Sequence, residues 1–288
     1  MTDINSDARA PSYLPGSGCG KIRADGAGCS TAMRHDERAP YDRALHRARV
    51  AAYAPGEFVG QESFMRAGEI LSLARRAGIG PGVSVLDLCC GVAGPGRHIT
   101  AELGCAYLGV DASPSAIALA RDRADGLPCS FEVARVPPVP TGPFDVVLLL
   151  ETLLAFADKE PLLRGVAAAL RVGGRFALTV EEGEPLTALE RERMPDADTV
   201  WLVPLEELRS SLERAGLRVR WQQECTSSHR TMVGALLAAF LAERASITEG
   251  LPSQAFEELV AAHRLWSDWL TEGRVRKFAL VAERVPSG

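Results

Sequence analysis

Small residues gather in one stretch of the chain, Asp87-Leu88-Cys89-Cys90-Gly91-Val92-Ala93-Gly94-Pro95-Gly96. A turn without bulky side chains lets backbone approach a ligand closely, and the N–H groups that open the next helix attract a polar group. Asp111 follows at the end of a second apolar run, where a carboxylate can accept both hydroxyls of a ribose. Ser113-Pro114 already supplies a helix cap and a first-turn proline, so Asp111 is not needed as the cap. A second group of residues could move protons. His229 follows one strand-like run and opens a helical one, and imidazole titrates near neutral pH. Glu151, Glu181 and Glu182 close two other apolar runs. They would anchor a cationic or hydroxylated substrate, or simply face solvent at loop starts. The same choice applies to His229, which is either a base at a pocket rim or a solvated first-turn residue. His98 reads as structural. His263 shares a helical face with Trp266 and Trp269, a pattern of core packing, and Trp201 could wall a pocket.

The elements that must position these residues alternate. Helical periodicity covers 41–54 and 61–77, with Gly78 and Gly80 as stop signals. Strands are expected at 83–88, 106–111, 130–134, 144–151, 175–181, 217–225 and 275–283. Helices are expected at 96–103, from Pro114, at 159–171 ending on Gly173-Gly174, at 205–215, 228–246 and 253–271. Short apolar strands alternating with helices imply an α/β doubly wound sheet, mostly parallel and covered on both faces. Right-handed crossovers put the strands' carboxyl ends on one edge, where ligands bind such sheets. Leu88–Gly94, Asp111, Ala134–Arg135, Glu151–Thr152, Glu181–Glu182 and Cys225–His229 all fall on that edge.

The turn at 85–98 resembles motif I of class I S-adenosylmethionine-dependent methyltransferases, closest to the small-molecule, natural-product branch. The nicotinamide fingerprint G-x-G-x-x-G is excluded, because the glycines stand at 91, 94 and 96. The resemblance runs from about residue 56 to 284. It implies a seven-stranded Rossmann-like sheet whose last strand is antiparallel, with S-adenosyl-L-methionine as cofactor. Cys89 and Ala93 stand where that family has glycine; both are small, and Cys89 is expected to avoid positive φ. The resemblance implies that Asp111, with Ala112 beside it, holds the cofactor's ribose near Gly91. A backbone carbonyl at Leu150 or Glu151 would meet its ammonium. The family's acidic residue after the third strand is replaced by Ala134 and Arg135. Adenine would then rest on backbone groups, or Arg135 would stack on it or stand free in solvent. The joint Phe58-Val59-Gly60-Gln61 would cap the cofactor, with Gln61 or Arg66 reaching its carboxylate. Methyl transfer needs a base only for a protonated nucleophile; His229, Glu151 and Glu181 are the catalytic candidates.

Hydrophobic residues make up 47% and charged ones 24% of 288 residues, the balance of an ordinary globular chain. Net charge is −5 and no basic stripe interleaves with aromatics, which argues against nucleic acid. No apolar run reaches the ~18 residues of a membrane span, and the first thirty residues lack an apolar stretch, so a secretory signal is not expected. The seven cysteines lack metal-ligand spacing, so a cytoplasmic, reduced protein without a metal is expected. Residues 1–38 read as a disordered tail. Residues 39–284 read as the methyltransferase domain, with lid helices 39–77 and inserted helices 227–272. The expected partner is a small-molecule substrate, with a homodimer left open. The alternatives are a cofactor-binding enzyme running a non-methylating reaction such as cyclisation, or a non-enzymatic cofactor-binding module.

Overall fold

The computed structural model describes residues 40–124 and 126–286. The expected tail, 1–38, lies outside the described residues. Seven strands form one sheet: β1 (Ser84–Leu88), β2 (Ala106–Asp111), β3 (Cys129–Val133), β4 (Phe144–Leu149), β5 (Leu170–Glu182), β6 (Leu217–Glu224) and β7 (Arg276–Arg284). Their order is β3-β2-β1-β4-β5-β7-β6. The first five pair in parallel, and β7 runs antiparallel between β5 and β6. The winding reverses between β1 and β4, which makes their carboxyl ends the topological switch point. The central strands are apolar on both faces because helices cover both.

The crossover helices are α3 (Gly94–Leu103), α4 (Pro114–Arg123), α5 (Glu160–Ala169) and α7 (Leu205–Arg214), preceded by α1 (Pro40–Ala52) and α2 (Ala67–Arg76). A short α6 (Ala188–Arg193) follows β5, while α8 (Thr226–Ala242), α9 (Arg244–Thr248) and α10 (Ser253–Glu272) lie between β6 and β7. Ser113 caps α4 as the sequence suggests, its hydroxyl accepting the Ala116 N–H at 3.2 Å. Buried side chains of α1, α8 and α10 form an apolar cluster of their own, with Phe240, Phe256, Trp266 and Trp269. By contrast α2 packs with α3 on the sheet, through Ile70, Leu73 and Ala74.

Three helix boundaries differ from expectation, and β5 begins at Leu170 rather than 175 while β4 ends at Leu149 rather than 151. Helix α2 starts at Ala67, not Gln61. The Gln61 side chain folds the preceding loop onto itself: its amide N–H groups reach the Glu57 and Met65 carbonyls, and its carbonyl takes the Val59 N–H. Glu69 then accepts the Arg66 N–H at 2.9 Å and closes the helix start. Helix α5 ends at Ala169, before the glycine pair, because Leu170 already pairs with Phe144; Gly173, at φ +77°, lies in the irregular stretch that follows. The expected helix 228–246 is two helices, and it begins earlier. The Thr226 hydroxyl accepts the Lys277 N–H, and the Cys225 N–H donates to the Lys277 carbonyl. These bonds pin the start of α8 to β7.

Candidate active site

At the switch point the carboxyl ends of β1, β2, β3 and β4 open onto a cleft of about 1370 Å³, mouth included. Asp111 is its fixed point. One carboxylate oxygen accepts the Gly91 N–H at 2.9 Å and the other the Ser113 N–H at 2.8 Å, so the first and second strand-end turns are tied together. Carboxylate oxygens have further acceptor capacity for hydroxyls. A side chain at Gly91 would meet nothing within 4 Å, and the residue's φ of +54° suits glycine. Cys89, Asp111 and Ala112 line the cleft, as do Ala134, Arg135 and Leu150. The loop before α2 forms the opposite wall: a Cβ at Gly94 would come within 2.5 Å of the Gly60 backbone, so loop and helix start touch.

Several expectations need correction here. Cys89 does not avoid positive φ: it lies at +59°, with Ala93 at +54°. Both residues occupy glycine-like backbone that small side chains tolerate at a cost of ~1–2 kcal/mol. The Ala93 methyl is fully buried in the apolar layer beneath α3 and does not face the cleft. Gln61 lines the cleft, but its amide is consumed by its own loop and is not free for a carboxylate. Arg66 is exposed, pairs with Glu69 at 3.3 Å and is not among the residues lining the cleft. Trp201 lines no described pocket wall; its indole N–H donates to the Asp198 carbonyl and its ring lies under the Arg191 guanidinium. Glu182 pairs with Arg276 at 2.8 Å. Asp87, at the cleft floor, accepts the Tyr107 hydroxyl at 2.6 Å. Burial pushes its carboxyl up to about 7, with the Tyr107 bond opposing and the Asp111 charge adding.

Glu151 turns away from the cleft, and its backbone φ is +60°. Its N–H donates to the Thr179 hydroxyl at 2.7 Å, which aims the side chain into a narrow cavity beside the cleft. The two spaces share Glu62 and Ser63 as walls. Glu151, Glu181 and His229, three residues singled out from sequence, all line this cavity. His229 is therefore not at a solvated rim; it is 2% exposed. Its Nε2 stands 3.1 and 3.3 Å from the two Glu151 oxygens. Lys277 completes the cluster, fully buried, 2.5 Å from Glu151 and in contact with Glu181. Burial would raise the Glu151 carboxyl, but the Lys277 ammonium and the His229 ring hold it well below the usual carboxylate range. Burial would likewise lower the Lys277 ammonium, yet the two carboxylates hold it well above the ordinary lysine range. The lysine escaped sequence reasoning. Its signal was there: one of only three lysines beside 29 arginines, inside the apolar run of β7.

An ionised Glu151 can only accept, so His229 Nε2 carries a proton, and in the neutral ring Nδ1 keeps its lone pair. That is the arrangement of a general base oriented by a carboxylate. His263 is core instead: its Nδ1–H donates to the Leu259 carbonyl, and its ring packs edge-on against Phe64 and Phe240.

Residues 85–174 match the family model of a methyltransferase domain. The chain is 30% identical to 27-O-demethylrifamycin SV methyltransferase of Amycolatopsis mediterranei over 219 residues, 71% of this chain and 76% of that enzyme. It is 35% identical over 103 residues to phosphoethanolamine N-methyltransferase 1 of Arabidopsis thaliana, a match that spans 34% of this chain and only 21% of that enzyme's length. Among solved structures, the phosphoethanolamine N-methyltransferase 2 of Haemonchus contortus in complex with S-adenosyl-L-methionine superposes with a TM-score of 0.70 at 18% identity, covering 86% of this chain and 59% of that one. Motif, sheet order and relatives agree: the chain belongs to the class I S-adenosylmethionine-dependent methyltransferases.

Proposed function

We propose that the chain transfers a methyl group from S-adenosylmethionine to a small-molecule acceptor of natural-product type. The residues of the cleft fit the family's cofactor. Asp111 would take the ribose hydroxyls, the Cys89–Gly91 turn would lie under the ligand, and Ala134 and Arg135 would flank the base. Bound there, S-adenosylmethionine supplies an electrophilic methyl carbon whose bond to sulfur breaks as the acceptor's new bond forms. His229, oriented by Glu151, takes the acceptor's proton at Nδ1, and the enclosing walls exclude water from that transfer. In this reading residues 39–77 and the inserted helices 227–272 form the lid of a domain spanning 39–284, which works in the cytosol, except that α2, packed on the sheet through Ile70, Leu73 and Ala74, belongs to the core. A net charge of −5 and the enclosed cavity favour a small acceptor over a nucleic acid, and among the described residues no helix is long and apolar enough to cross a membrane.

The observation that carries this reading is the buried His229–Glu151 pair in a cavity that adjoins the Asp111 cleft. Isothermal titration with S-adenosylmethionine and its demethylated product tests the cofactor half; no binding at millimolar ligand overturns it. Mass spectrometry of converted metabolite extracts tests the transfer. The expected product gains one methylene unit; a product of unchanged mass would mean a rearrangement such as cyclisation.

A further inference from the structure

Three of the residues that wall this cavity carry a buried polar atom with no partner among the described residues: Oε2 of Glu181, Nδ1 of His229 and Nε1 of Trp266. Their residues are 8%, 2% and 2% exposed, so bulk solvent does not serve them. Buried polar groups are almost always satisfied, and leaving one bare is costly. Three bare groups around one cavity call for a polar guest of about the size of a water or a hydroxyl. The remaining wall, Phe64, Leu154 and Leu270, is apolar.

Donor and acceptor roles narrow its chemistry. The indole N–H only donates, an ionised carboxylate oxygen only accepts, and Nδ1 accepts when Nε2–H is given to Glu151. A hydroxyl both donates and accepts, so in the bound state it can take the indole N–H and give its one proton to Glu181, turning that proton to His229 Nδ1 only as the methyl is transferred. A protonated amine has no lone pair for the indole. A phosphate or carboxylate has no proton for Glu181 and is repelled by two carboxylates. Lys277, the ammonium of this cavity, already lies against both Glu151 and Glu181. It engages one Glu181 oxygen and leaves the other without a partner among the described residues, which makes Lys277 a positioning residue. The cavity has room for little more than one water-sized group, enough for the hydroxyl alone, so the acceptor's body would lie outside it, toward the cleft with which it shares Glu62 and Ser63.

We propose that Glu181 and Trp266 are specificity-determining residues, which recognise a neutral hydroxyl on an otherwise apolar acceptor and reject phosphorylated acceptors such as phosphoethanolamine. This rests on the cavity being the acceptor site. The test reads binding rather than turnover, so its failure is distinct from a failure of methyl transfer. Amide and indole N–H spectra of the full chain, with the demethylated cofactor product added, are titrated with benzyl alcohol, cyclohexanol, toluene and phosphoethanolamine. The Trp266 indole resonance is identified by its loss in Trp266→Phe and by backbone-linked assignment in the parent, so the parent titrations decide even if the variant folds poorly. Both alcohols should shift that resonance saturably, while toluene and phosphoethanolamine leave it in place. Glu181→Gln, in which Lys277 keeps Glu151, should weaken alcohol binding by ~tenfold or more. The proposal is overturned if no alcohol moves the resonance, if phosphoethanolamine binds as well as the alcohols, or if Glu181→Gln binds them unchanged.

Discussion

Cys89, Ala93 and Glu151 all hold left-handed backbone at strand ends, where the sequence offers no glycine. Strained positions of this kind persist where the surrounding structure over-determines them; here Cys89 lines the cleft and Glu151 the cavity beside it. Asp111 is the residue whose role is most exposed to test. Asp111→Ala removes a charged acceptor that also ties the Gly91 turn, so S-adenosylmethionine affinity should fall ~ten- to a hundredfold in calorimetry, or ~1.5–3 kcal/mol. Unchanged affinity in a folded variant would place the ribose elsewhere. His229→Ala should leave that affinity intact and lower turnover by about 10²–10⁴-fold, with partial rescue at high pH where the acceptor ionises unaided. Turnover at the parent rate from pH 6 to 9 would mean that the enzyme works by positioning alone. Most of these residues were legible in sequence because strand ends must fall on one edge. The backbone sign at Cys89 was not, since nothing in a side chain's identity forces it; the turn that Asp111 holds does.

At the scale of elements, the first strand-end turn is held from both sides. Across β1 and β2, Asp87 and Tyr107 share a buried hydrogen bond; across the cleft, the loop before α2 rests on Gly94. Gly94→Ala drives a methyl into the Gly60 carbonyl, so the loop must lift away. We expect ~1–3 kcal/mol less stability and a cofactor affinity at least ~tenfold weaker; a variant matching the parent in both measurements would show that loop and helix are not in contact. Asp87 adds a pH dependence. Its folded carboxyl sits at about 7 against an ordinary value near ~3.9, so the stability it lends is complete below pH ~4 and is lost as pH rises through about 7. Urea midpoints should therefore fall between pH 5 and 8 in the parent and fall less in Asp87→Asn, whose amide carbonyl still accepts the Tyr107 hydroxyl. Equal slopes would mean that Asp87 is charged throughout. The strands were legible as apolar runs, and the antiparallel β7 was implied by the family resemblance; the strand order came with the structure. The ends of helices were not legible, because Gln61 is captured by the backbone of its own loop and Leu170 by its pairing with Phe144, neither of which periodicity reveals.

On the scale of the whole molecule, the helical layer of α1, α8 and α10 has its own apolar core, and the sheet has two others. The buried charges lie where these layers meet: Glu151 after β4, Glu181 on β5, Lys277 on β7 and His229 on α8. Sequence reasoning found three of the four by their position at strand ends. It passed over Lys277, which stands within a strand and whose value depends on two carboxylates distant in the chain. The charges of Glu151, Glu181 and Lys277 in one buried cluster make that lysine a joint that cannot be removed alone. Lys277→Met leaves two carboxylates facing each other without a counter-charge, and breaking a buried ion pair in this way typically costs ~3–5 kcal/mol. Neutralising one carboxylate as well, in Lys277→Met with Glu181→Gln, should recover a large part of that loss, because a single buried carboxylate beside His229 remains. Urea unfolding of parent, two single variants and the double variant gives the coupling directly. Strong non-additivity, with the double variant more stable than Lys277→Met, would establish the cluster as the joint between helical layer and sheet. A Lys277→Met protein within ~1 kcal/mol of the parent would show that water or protonation already neutralises the carboxylates, and that the apolar contacts of α8 alone hold the layers together.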